Sequence, residues 1–149
     1  MAIEWGLLNQ QTSMTFRVLD NNGLTPTEVL TAGVPFQVEV SWDVPAVAAT
    51  FINPSDAFRV RVYAESVGPG QEMLLGQINV IGVPFLQNYN GHVINVNPNP
   101  LLGEEQLFGG QPVSGVYNIV CVLQHLSAGT PTVHSGLSDY QRTIMFRAP

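Results

Sequence analysis

Strict alternation of apolar and polar residues recurs along this chain, and it restricts the fold more than any other feature. Phe36, Val38, Val40 and Trp42 alternate with Gln37, Glu39 and Ser41. Phe58, Val60, Val62 and Ala64 alternate with Arg59, Arg61, Tyr63 and Glu65. Met14, Phe16 and Val18 do the same around Thr15 and Arg17, and His92, Ile94 and Val96 less cleanly around Val93 and Asn95. Successive strand side chains point to opposite faces, so a period of two marks a strand with one buried face. Near the end, Tyr140, Arg142, Ile144 and Phe146 form one set and Gln141, Thr143, Met145 and Arg147 the other; the first set is the expected inner face. Residues 116–126 are apolar on both faces, as in a central strand. Helical periodicity is weak, and one short turn near 99–107 is the only helix expected.

Turn residues punctuate these runs at all-β spacing: Asp20-Asn21-Asn22-Gly23, Val67-Gly68-Pro69-Gly70, Asn97-Pro98-Asn99-Pro100, Gly109-Gly110-Gln111-Pro112 and Ser127-Ala128-Gly129-Thr130-Pro131. The pattern predicts one antiparallel all-β domain over 1–149, with about seven to nine strands. They fall near 3–8, 13–19, 27–31, 35–42, 58–65, 73–80, 91–96, 116–125 and 138–147. The expected core holds Phe16, Val38, Val40, Trp42, Phe58, Val60, Val62, Ile94, Ile119, Cys121, Ile144 and Phe146. Gly33-Val34-Pro35-Phe36 recurs as Gly82-Val83-Pro84-Phe85 with unmatched flanks, which reads as a reused loop-to-strand entry.

Thr31-Ala32-Gly33 followed by the alternating run to Trp42 resembles the second strand of immunoglobulin-like domains. Ser114-Gly115-Val116-Tyr117, with Ile119 and Cys121, resembles the entry to their sixth strand. The resemblance implies an immunoglobulin-like β-sandwich and says nothing about function. The chain departs from the pattern in two ways. Tyr117 precedes Cys121 by four residues rather than two, and the second-strand cysteine is absent. With one cysteine, no intrachain disulfide forms, and Cys121 in its apolar run reads as a buried, inert thiol.

The charge pattern narrows the function. Charged residues are 11% of the chain, with five Arg and no Lys, while Asn, Gln, Ser and Thr supply 38 of 149 residues. A net charge of −6 argues against nucleic-acid binding, which needs a basic face, and against docking on anionic membranes. No apolar run approaches the length of a membrane span. Met1–Gly6 shows neither the basic stretch nor the apolar segment of a secretory signal, so none is expected in the chain as it stands. The compartment is left open; a cell-surface or virion component fits the composition.

Motifs for chemistry are sparse. His125 and His134 flank a hairpin turn and, with Asp139, could form a metal site; the alternative is two surface histidines. Ser135 follows His134, but adjacent strand residues face opposite ways, so the pair is no nucleophile and base. Glu104-Glu105 reads as a solvated loop rather than a separated carboxylate pair. Asp20 with Asn21 and Asn22 supplies too little charge for a calcium loop. Asn88, Tyr89, Asn90 and His92 make the best candidate ligand loop, with Tyr63, Tyr89 and Trp5 as platforms on which a sugar could stack. Edge strands in monomeric β proteins are guarded by charge, above all Lys, and this chain has none. The expectation is a non-enzymatic module of protein–protein assembly that self-associates and uses no cofactor. A glycan- or small-ligand-binding module is the alternative, and a metal-dependent hydrolase stands behind both.

Overall fold

A computed structural model describes residues 2–5, 10–20, 26–139 and 141–146. The strands are β1 (Ala2–Trp5), β2 (Gln10–Leu19), β3 (Val29–Thr31), β4 (Phe36–Asp43), β5 (Asp56–Ser66), β6 (Glu72–Ile81), β7 (Asn88–Val96), β8 (Leu107–Phe108), β9 (Gln111–Pro112), β10 (Val116–Ser127), β11 (Thr130–Leu137) and β12 (Gln141–Phe146). One short helix, α1 (Ala46–Ala49), lies between β4 and β5. The fold is an all-β sandwich.

The large layer is built on β10, which pairs with β5 from Tyr117 to Ser127. Its other side is shared: β12 takes Val116–Ile119 and β11 takes Val122–Ser127. Beyond these lie β6 on β5, β3 on β12 and β1 on β11. The β3–β12 pair is parallel, while the other pairings are antiparallel. The small layer is β2–β4–β7. Strand β2 joins the layers: Gln10–Ser13 pair with β1, and Met14–Leu19 pair with β4.

The alternations seen in the sequence become the two inner faces. Phe36, Val38, Val40 and Trp42 from β4 are buried, as are Phe58, Val60, Val62 and Ala64 from β5 and Ile119, Cys121 and Leu123 from β10. Phe16 is only partly buried but packs on this core. Tyr117 is buried, and its hydroxyl donates to the Leu102 carbonyl at 2.8 Å.

The last strand corrects the expected core. Ile144 and Phe146 face outward, 39% and 44% exposed, while Thr143 and Met145 are fully buried. The outward set holds Ile144 and Phe146 while the inward set has Met145 as its one apolar residue, so hydrophobicity alone favours the wrong one. Pairing decides: Thr143 lies opposite Tyr117, whose ring faces inward, and directly opposed residues share a face. The strand expected over 138–147 is also shorter, since β12 begins only at Gln141. Before it runs β11, a strand absent from the expected set because its first residues belong to the turn signal Ser127-Ala128-Gly129-Thr130-Pro131.

The helical turn expected at 99–107 is irregular chain up to Gln106, with Leu107 opening β8, and the helix lies at 46–49 instead. Buried Asn99 explains this: its amide donates to the carbonyls of Val34 and Thr31, and its oxygen accepts from Leu101 N. These bonds compete with helical ones. Residues 6–8 of the first expected strand, Asn21-Asn22-Gly23, Tyr140 and Arg147 lie outside the described residues.

Candidate functional site

The three histidines and two tryptophans of the chain gather in one aromatic cluster at an end of the core. Trp42 stacks on Tyr89 at 5.3 Å with the rings 4° from parallel, and Phe58 stands edge-on to Tyr89 at 4.9 Å. Phe58 then meets His125 at 5.4 Å, His125 meets His134 at 5.7 Å, and His134 lies 5.1 Å from Trp5. His92 closes the far side, 5.1 Å from Trp42.

Local structure explains why the residues meet. Val40 pairs with His92, but Trp42 pairs with Tyr89, so β7 carries one extra residue there. This bulge contains Gly91 at φ +70°, whose amide donates to Ser41 Oγ at 3.0 Å. It lets Tyr89 and His92, three residues apart, share the inner face. His125 lies opposite Phe58 on the β10–β5 ladder.

The ligand loop expected at Asn88, Tyr89, Asn90 and His92 is therefore strand. Tyr89 is buried, and its hydroxyl accepts from Val83 N at 3.0 Å; burial raises its pKa. Asn88 donates to Asp43 Oδ1 at 2.7 Å, Asn90 is exposed, and His92 is half-buried. Trp5 is buried as well, with Nε1 donating to Thr12 Oγ1 at 3.1 Å. Neither Tyr89 nor Trp5 offers a free ring face to a sugar. Tyr63, the third expected platform, is half-buried. It lines a shallow groove of about 400 Å³ with Glu65, Glu72, Leu74 and Val120.

The alternative metal set separates. His125 and His134 do approach each other, as the hairpin implied. Asp139 instead lines a groove with Ser13, Met14, Thr15 and Phe16. The carboxylate beside His125 is Asp56, with Oδ2 3.3 Å from Nε2, both groups buried. The two atoms are at ion-pair distance but out of line for a hydrogen bond, so Nε2 has no hydrogen-bond partner. Among the described residues no three His, Cys, Asp or Glu side chains converge to hold a metal. Sequence reasoning missed Asp56 because it sits 69 positions before His125 and only the strand register unites them.

Thr132, His125 and Asp56 form a line that superficially suggests a hydroxyl activated by a base. The hydrogen bonds run the other way. Thr132 Oγ1 donates its one proton to the His125 carbonyl at 3.1 Å and accepts from His134 N at 3.2 Å. With that proton donated to the carbonyl, Nδ1 of His125, 3.0 Å away, donates to the same oxygen rather than taking its proton. Burial pushes the pKa of His134 down, with nearby His125 adding to the effect, and burial alone does so for His92. Cys121 is buried, and its thiol pKa is pushed up to about 12. The rings of this cluster pack against one another at one end of the core.

No family model matches the chain, and no curated protein matches it. Two crystal structures of a β-glucosidase from Listeria innocua, in complex with gluconolactone and with glucose, are similar at 10% identity, with TM-scores of 0.46 and 0.44. Each similarity covers 93% of this chain but 17% of the enzyme chain. The chain thus spans a small part of that enzyme's length.

Proposed function

We propose that this domain is a non-enzymatic module of protein–protein assembly that associates with copies of itself. The observation that carries the reading is an uncharged, apolar tip. Residues 44–55 and 73–91 contain no Asp, Glu, Lys or Arg. They come together around α1, where Phe85 N donates to the Ala49 carbonyl and Gly82 N to the Asp56 carbonyl. Phe51 and Phe85 are each 71% exposed there and Ile81 69%. Phe85 is held at φ +67°, a conformation costly for a bulky residue, with its ring in solvent. Contiguous exposed apolar side chains with little charge to desolvate are the chemistry of a contact surface.

The direct test is light scattering on size-exclusion fractions over a hundredfold concentration range. Assembly gives a mass above 16.2 kDa that rises with concentration. A mass fixed at the monomer value throughout overturns the reading. A second reading, glycan binding, draws on the half-buried ring of Tyr63 in its groove beside two carboxylates. Glycan-array binding lost in Tyr63→Ala would support it, and an array without signal would end it.

A further inference from the structure

The outer face of the large layer is self-complementary along β5. Reading outward-facing residues in order gives Arg59, Arg61, Tyr63 and Glu65. The strand therefore runs from two cations, through an aromatic ring, to an anion. Glu72 of β6 lies directly opposite Glu65, and like charges so placed repel. Among the described residues neither glutamate meets a cation at ion-pair distance. At the other end Arg59 Nε is buried without a hydrogen-bond partner, while Arg61 Nε donates to Gln77 at 3.2 Å. The neighbouring β10 contributes Val120 beside Tyr63 and Val122 beside Arg61, with Asn118 and Gln124 beyond them. Arg142 also faces outward, bonded to Asn118 at 3.4 Å. Three of the five arginines thus stand on this face of an otherwise acidic chain.

We propose that this face binds a second copy of the chain about a twofold axis that lies in the interface, perpendicular to the strands, at the level of Val62. The proposal rests on the self-association reading and adds to the apolar tip a second contact surface, on the outer face of the large layer. An isologous interface needs a patch complementary to itself under the twofold. Here Glu65 and Arg59 stand three residues on either side of Val62, and Tyr63 and Arg61 one residue on either side. The rotation sets Glu65 of one copy over Arg59 of the other, and the Tyr63 ring over the Arg61 guanidinium, a cation–π contact. On β10 it sets Val120 over Val122 and Asn118 over Gln124. Each class of group meets its complement or its like in polarity, and each contact occurs twice. Rotation about the strand direction would instead oppose like charges. The groove of Tyr63, Glu65 and Glu72 becomes the seat of the partner's arginines.

Two charge reversals test this without relying on loss alone. In Glu65→Arg the substituted side chain faces Arg59 of the other copy, cation against cation. In Arg59→Glu the substituted side chain faces Glu65 of the other copy, anion against anion. Each variant alone weakens self-association by about tenfold or more. Mixed at equal concentration, the two variants oppose opposite charges at both contacts and form a 1:1 dimer at wild-type concentrations. Thermal melts confirm that each variant is folded, and a damaged fold would not be rescued by mixing. If the wild type dimerises but each variant alone dimerises equally well, this face is overturned and assembly itself stands; loss of the dimer in Phe51→Asp or Phe85→Asp then locates it at the apolar tip. A wild type that stays monomeric at every concentration overturns both proposals.

Discussion

Single residues show how far position outweighs identity. The tetrapeptide Gly-Val-Pro-Phe occurs twice, and Phe36 is buried at a strand entry whereas Phe85 stands in solvent. Nothing in the four residues separates these outcomes; the flanks do, since Phe36 starts an alternating strand and Phe85 lies in a loop. Trp42 and Phe58 are central to the core, so replacing either with Ala costs about 3–5 kcal/mol. Phe146→Ala on the outer face costs less than about 1 kcal/mol, a contrast that urea titration resolves. Cys121 should resist thiol reagents in the native state and react on unfolding, because the thiolate is disfavoured by burial. The histidines give stability a pH dependence. Burial lowers the pKa of His92 and His134 in the folded state. Above about pH 6.5 both are neutral whether the chain is folded or not, and stability is complete. As pH falls through about 6.5 the unfolded chain takes up protons that the folded chain resists, and stability drops until the lower folded values are passed. Melts between about pH 7.5 and 5.5, spanning that window, should show a falling midpoint, less steep in His134→Gln; a flat profile would contradict the burial of these rings.

At the level of elements, β4 and β5 were legible because their alternation is unbroken and each packs one face on the core, and β10 because its run is apolar on both sides. The aromatic cluster was not legible as a unit. It depends on the β7 bulge, which shifts Tyr89 and His92 onto one face, and on a register that brings Asp56 to His125. Neither event leaves a periodic trace. The face chosen by β12 was hidden for a related reason, since the more apolar set lies outward and only the partner strand settles the choice. Glycines at positive φ separate two costs. At Gly91 a Cβ would meet open space, so Gly91→Ala bears the cost of the left-handed conformation alone, about 1 kcal/mol. At Gly115 a Cβ would come within 2.7 Å of Glu104 N and Met145 O, both backbone atoms. Gly115→Ala should therefore destabilise distinctly more than Gly91→Ala in the same denaturation assay. Equal costs would mean that the 103–106 loop and β12 yield freely.

For the whole molecule, scarcity of charge is the property that sequence and structure share. It was plain from composition that the surface is uncharged and polar; where its few charges stand was not. The fold gathers Arg59, Arg61 and Arg142 on one face and leaves the segments around Phe51 and Phe85 bare of charge. A net charge of −6 repels a second copy at long range, so association needs local complementarity, and the Glu65–Arg59 and Tyr63–Arg61 contacts supply it. Salt acts on both terms, but contacts at a few ångströms on a partly exposed face lose strength as the screening length shortens. Sedimentation velocity of the wild-type chain across a concentration series, at low salt and at about 1 M salt, tests this most directly. A shift from 16.2 kDa toward twice that mass with concentration, weaker at high salt, is the predicted result. A single species at 16.2 kDa in every cell would contradict the account of this domain as a self-assembling module.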